Sequence, residues 1–114
     1  MHQEYHLSRS DSMKIIQVIA DKQEKSGKGV AIAVVDDHGD LLAFLRTDGC
    51  GLPFIKVAIN KAYTAARERN ESKAVGEFAK GAGFPVSSLD DRYTAWGGGI
   101  PIFYQGQFVG AVGV

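Results

Sequence analysis

The chain has little of what usually declares a function at once. It carries a single cysteine, Cys50, in 114 residues, which excludes an intramolecular disulfide and a zinc site of several thiolates. It has no excess charge: 13 basic residues balance 13 acidic ones, and no basic run reaches five. Bulk nucleic-acid binding, which needs clustered Lys and Arg, is not expected. Long apolar runs are missing too, and nothing approaches the roughly 18–20 residues that span a bilayer, so no membrane partner is expected. The opening MHQEYHLSRS has no apolar signal core, and a cytoplasmic location is the expectation. His2, His6 and His38 do not fall at a metal-ligand spacing, so no metal site is expected.

Two local absences stand out. From Tyr93 to Val114 no side chain is charged. Charges are costly to bury, so this stretch reads as strands inside a sheet or at an interface. Glycine is the opposite case, with 14 in the chain and six of them between Gly97 and Gly113. Leu, Ile, Val and Phe together make 30 of the 114 residues, enough for a folded core. One domain over 1–114 is expected, with 1–7 as a loose arm.

Ser8 and Asp11 resemble a capping box, and Met13, Ile16, Ile19 and Ala20 follow at helical spacing until Ser26-Gly27. Val30–Val35 is a short, continuous apolar run and reads as a central strand. Asp37-His38-Gly39-Asp40 makes a turn into a hairpin partner, Leu41–Leu45. A second helix is expected from about Pro53 to Arg69, with Ile55, Ile59, Ala62 and Ala66 on one stripe and Ala58 and Ala65 widening it. Ser72 is read as the cap of a short helix with Val75 and Phe78. The tail reads as three strands: Tyr93–Trp96, Ile100–Tyr104 and Phe108–Val114, the last two joined at Gln105-Gly106. The order α-β-β-α-α-β-β-β lacks strand–helix–strand repeats. It predicts an α+β fold with an antiparallel five-stranded sheet and helices packed on its faces.

Four groups of residues bear on chemistry. Asp36, Asp37, His38 and Asp40 read as either a metal cluster or, better, a polar turn. Arg46, Asp48 and Lys61 are expected near one mouth. Arg46 would clamp a carboxylate with paired hydrogen bonds and Lys61 would act as a charge or an amine; the other reading is a structural ion pair to Asp48. Gly97-Gly98-Gly99-Ile100-Pro101 precedes a strand and not a helix, so it is no phosphate loop. It reads either as a close-approach surface for a flat ligand or as a strand bend. Trp96 and Tyr93 read as stacking platforms or as core.

Val30–Asp36, Gly39-Asp40-Leu41-Leu42-Ala43-Phe44 and Arg46-Thr47-Asp48-Gly49 together resemble the first hairpin of the GlcG/HbpS-like haem-binding and haem-degrading family. Lys61–Ala66 is similar to that family's second helix. Gly97–Ile102, Gly106 and Val109–Val114 are similar to its closing strands. The resemblance spans about residues 8–114. It implies a profilin-like fold, a homo-oligomer, and haem as a cofactor or ligand. It also implies a last helix after the closing Gly-Val; with the chain ending at Val114, that helix is expected to be absent here.

Three functions are then open. The first is an oligomeric protein binding haem or another planar anion, through Arg46, Asp48, Lys61, Trp96, Gly97, Gly98, Gly99 and Pro101. The second is a small catabolic enzyme (hydrolase, deaminase or isomerase) on a carbonyl or enamine carboxylic acid, with Arg46 orienting, Asp48 or Asp36 moving protons and Lys61 polarising or attacking the carbonyl. The third is a non-catalytic accessory subunit.

Overall fold

The computed structural model describes residues 3–114; Met1 and His2, and with them one half of the His2–His6 pair, lie outside the described residues. Helix α1 (Arg9–Glu24) opens on the expected capping box. The Asp11 N–H donates to Ser8 Oγ at 3.0 Å, and the Ser8 N–H donates back to Asp11 Oδ2 at 3.1 Å. Two backbone donors with no partner inside the helix are thereby satisfied. The bond from the Ser8 backbone also holds the Asp11 carboxyl below its ordinary pKa.

Strand β1 (Ala31–Val35) is buried over its whole length, as a continuous apolar run should be when both faces are covered. It turns into β2 (Leu41–Arg46). At that turn Asp36 Oδ1 accepts the N–H groups of both His38 and Asp40 at 2.9 Å, so one carboxylate oxygen serves the backbone. Helix α2 (Pro53–Glu68) starts on Pro53 and ends where Arg69 takes φ 51°. Helix α3 (Ser72–Ala82) closes on left-handed Gly83, and a short 3-10 turn follows at Val86–Ser88. Strands β3 (Gly99–Tyr104) and β4 (Gln107–Gly113) meet at Gln105-Gly106, whose φ values of 48° and 80° suit a tight hairpin.

The strands form one antiparallel sheet in the order β2-β1-β4-β3. Helix α1 packs on one face, against β1 and β2; α2 packs on the other, across β1, β4 and β3. Ile16 and Ala20 meet Ile32 and Val34 beneath α1. Beneath α2 nearly everything is small: Ala58, Ala62, Ala65 and Ala66 face Ala31, Ala33, Val35 and Ala111. No helix among the described residues is long and apolar enough to cross a membrane.

The sheet has four strands where five were expected. Tyr93–Trp96 is not a strand. Side-chain hydroxyls, not a neighbouring strand, take its backbone groups. The Thr94 N–H donates to Thr64 Oγ1 at 3.0 Å, and the Trp96 carbonyl accepts from Ser72 Oγ at 2.7 Å. The segment therefore runs over α2 and α3. Ser72 does not cap its helix either: Glu71 precedes the first turn, and the Ser72 hydroxyl is fully buried. Met13, at the head of the helical spacing in α1, and Phe78 in α3 are 54% and 66% exposed.

Glycine sets how closely α2 sits. Gly99 and Gly113 are register partners on β3 and β4. A Cβ on Gly113 would overlap the Ala58 carbonyl oxygen and crowd the Ala62 nitrogen; one on Gly99 would overlap the Lys61 carbonyl oxygen. The helix backbone thus rests directly on the strand backbones. We predict that Gly113→Ala destabilises the protein by more than about 3 kcal/mol, the upper end for overpacking. Gly81→Ala, at a position with no heavy atom within 4 Å of the new methyl, should leave stability unchanged or raise it by up to about 1 kcal/mol. Denaturant titration of both variants tests this, and equal stabilities would contradict it.

Candidate functional site

Lys61 lies on α2 at the glycine bend. Its Nζ donates to the Val114 carbonyl at 2.9 Å, and burial lowers its pKa. The space beside Gly98 is occupied by the Val114 carbonyl oxygen and the Lys61 side chain. The Gly98 carbonyl accepts the Val114 N–H at 3.1 Å, and the Gly99 N–H donates to Ser72 Oγ at 2.9 Å. The bend is therefore held by the chain's own groups. Next to it, Lys61 lines a pocket of about 200 Å³ with Phe54, Val57, Val30 and Val114.

The other expected site residues are spread out. Asp48 lines a separate depression with Thr47, Lys28 and the end of α1. Arg46 is exposed at the last position of β2, opposite Ala31. Among the described residues no ion pair joins Asp48 to Arg46 or Lys61. Trp96 is 59% exposed. Pro101 sits on the edge strand β3, where its missing N–H costs least. Cys50 packs against the core beneath α2 and donates to the Gly51 carbonyl at 3.4 Å. The structure brings Lys61 to Gly98 and Gly99 and leaves Arg46 and Asp48 outside that pocket. Asp36, Asp37 and His38 offer ligand atoms within 4.8 Å of one another, but Asp36 is already bonded to the turn.

A polar latch ties the loop after α3 back to α2. The Tyr63 hydroxyl donates to Asp90 Oδ2 at 2.5 Å, and the Arg92 guanidinium lies 3.8 Å from the Tyr63 ring centroid. That bond raises the Tyr63 pKa and lowers that of Asp90. Tyr93, expected as a stacking platform or as core, donates to Glu68 Oε2 at 2.6 Å. Its phenol pKa is pushed up, by burial first and then by the Glu68 bond.

A larger cavity, of about 340 Å³, lies elsewhere, between the N-terminal arm and the β3–β4 hairpin. The Tyr5 N–H donates to Gln107 Oε1 at 3.2 Å, and Gln107 Nε2 donates to the Gln3 carbonyl at 2.5 Å. The Tyr5 ring meets Tyr104 edge-on at 4.8 Å, and Leu7 joins the core beneath α1. Tyr5, His6, Ile102, Phe103 and Tyr104 line this cavity. His6 Nε2 is 3.5 Å from Glu4 Oε2. Tyr5 and His6 also border a neighbouring depression that holds Arg69, whose guanidinium lies 5.0 Å from the Phe108 ring centroid. Sequence reasoning missed this site because its walls are about 100 residues apart. The one available signal was Tyr5 and Leu7 alternating within an otherwise polar start.

Fold and site together define a class: a small α+β domain with helices on both faces of one antiparallel sheet and an open apolar cavity beside an imidazole. The family model described as "Haem degrading protein HbpS-like" matches residues 7–114, and the chain belongs to this HbpS-like family. GlcG of Escherichia coli strain K12 is 36% identical over 110 residues, which cover 95% of this chain and 80% of GlcG. A double mutant of Streptomyces reticuli HbpS superposes with a TM-score of 0.86 at 29% identity, covering 99% of this chain and 76% of that one. PduOC, solved as a haem complex, superposes with a TM-score of 0.86 at 21% identity over 96% of this chain and 81% of its own; at that identity the likeness concerns the fold alone.

Ser72 is the polar group on which the bend depends. We predict that Ser72→Ala costs about 1–3 kcal/mol, because it strands the Gly99 N–H and the Trp96 carbonyl. Hydrogen exchange should show lost protection at the Gly99 amide; unchanged protection would reject this role for the hydroxyl.

Proposed function

We propose that the protein binds haem and does so as a homo-oligomer. The observation that carries this reading is the HbpS-like family match over residues 7–114. The chemistry of the larger cavity fits such a ligand. Its volume of about 340 Å³ lies within the roughly 300–1,000 Å³ usual for small-molecule sites. Its aromatic and aliphatic walls suit a porphyrin face, an imidazole suits its iron, and Arg69 nearby suits a carboxylate, while the one acidic wall residue, Asp11, already accepts the Ser8 N–H. When bound, haem supplies an iron centre with open coordination positions; the chain's residues hold and orient it. The Lys61 pocket, at about 200 Å³, is below that usual range. It offers an ammonium already bonded to a carbonyl, and so suits a small polar group better than a macrocycle.

The oligomer reading rests on β3. It is an edge strand, and it leaves Ile100, Phe103 and Tyr104 at 42%, 55% and 50% exposure. Unpaired edges carrying apolar side chains invite a partner. Titration with ferric haemin, followed by size-exclusion chromatography with light scattering, should give a protein-bound Soret band at a fixed ratio. The mass should be a multiple of 12.3 kDa. A spectrum identical to free haemin removes the haem reading, and a monomer mass removes the oligomer.

One observation supports a second reading, catalysis on a carbonyl carboxylic acid: Lys61 is partly desolvated beside an apolar pocket, which lowers the pKa of its amine, the direction a nucleophilic lysine needs. The amine would add to a ketone and lose water to give an imine. Arg46 and Asp48 stand too far round the molecule to line that pocket, so Lys61 would act without them. Incubation with a small 2-oxo acid and cyanoborohydride should add the reduced adduct's mass at Lys61 and not to Lys61→Met. Absence of any adduct sinks this reading.

A further inference from the structure

We infer that His6 is the axial iron ligand of the bound haem, in the cavity between the N-terminal arm and the β3–β4 hairpin. The inference rests on the haem reading above and adds its location and its ligand. Iron needs a neutral nitrogen, a thiolate, a thioether or a phenolate on at least one axial side. Among the described residues, Cys50 is packed beneath α2 with its thiol on the Gly51 carbonyl. His38 is 80% exposed on the hairpin turn beside Asp37. Of these imidazoles and this thiol, His6 is the one that lines the cavity, whose other walls are the rings of Tyr5, Phe103 and Tyr104, aliphatic side chains and the Asp11 carboxylate. The Met13 thioether is exposed and does not line it, and the Tyr5 and Tyr104 phenols are the competing donors within it.

Three features suit the cavity to a porphyrin. Phe103 and Tyr104 stand on an edge strand with about half their surface open, so a flat macrocycle gains contact without displacing core. Tyr104 is braced edge-on by Tyr5, and Phe103 by Phe108 with centroids 5.7 Å apart. Glu4 stands beside the imidazole, a carboxylate–histidine arrangement of the kind that orients a metal-bound ring. The His6 side chain is 67% exposed, so rotation about its Cβ–Cγ bond presents either nitrogen to iron. The adjoining depression holds Arg69 along with the acids Glu4 and Asp37. The propionates are therefore assigned to its Arg69 side, where a guanidinium forms paired hydrogen bonds with a carboxylate. The arm is pinned at Tyr5, so His6 is held at the cavity wall before the ligand arrives.

The test is ferric haemin bound to the full chain, read by absorption and electron paramagnetic resonance. Histidine ligation should give the wild type a nitrogen-ligated ferric spectrum. His6→Ala should lose that signature and weaken haem at least about tenfold, since even an outer-shell partner is worth 10–100-fold. Exogenous imidazole should restore the spectrum in His6→Ala, which a merely structural role for His6 would not allow. His38→Ala should match the wild type, and circular dichroism should show all variants folded. If His6→Ala binds haem with unchanged spectrum and affinity, the inference is overturned while the haem reading stands. If Tyr5→Phe abolishes the ligand signature and His6→Ala does not, the phenol is the ligand and the inference is likewise overturned. If the wild type shows no stoichiometric Soret band, the inference falls together with the reading beneath it.

Discussion

The structure depends on one close approach: the backbone of α2 lying on the backbones of β3 and β4. Gly99 and Gly113 face each other in register, and the helix passes over them with Ala58, Ala62, Ala65 and Ala66 turned inward. Small residues on both sides bring the layers together with few methylenes between them. Each site contributes little apolar area, so stability depends on fit across the whole contact. The same approach brings the Lys61 side chain to the glycine bend and to Val114.

The chain between α3 and β3 adds no fifth strand to the sheet. It runs against α2 and α3, where no ladder satisfies its backbone. Buried hydroxyls do so: Thr64 Oγ1 accepts from Thr94 while donating to the Asn60 carbonyl, and Ser72 Oγ bridges Trp96 and Gly99. The Tyr63–Asp90 and Tyr93–Glu68 bonds fasten the neighbouring loop. Polar residues that look like caps or solvent-facing positions in the sequence are, in three dimensions, the fastenings of a non-repetitive segment.

Local patterns were legible where neighbours in sequence are also partners in space. Ser8 and Asp11 announced the start of α1, Pro53 the start of α2, and the apolar run Val30–Val35 the buried strand Ala31–Val35. Gln105-Gly106 announced the last hairpin. The blocks that resemble the HbpS-like family pointed to the family to which the chain belongs. Periodicity alone does not decide burial. Met13 shares the helical spacing of Ile16 and Ala20 yet is exposed, as is Phe78 in α3. Ile55 and Ile59 fit a helical stripe too, but the alanines beside them are buried more deeply because only they can pass over strand backbone.

The sequence by itself determined the α+β composition, the hairpins, the glycine-rich bend and the family, since each is written in residues a few positions apart. Tertiary structure alone decided which chemical groups share a cavity. It set Lys61 apart from Arg46 and Asp48, and it carried His6 to Phe103 and Tyr104 across about 100 positions of chain. The physical reason is that a side chain's neighbours across a sheet depend on strand order and on how an arm docks. Both are settled by burial and hydrogen bonding over the whole molecule.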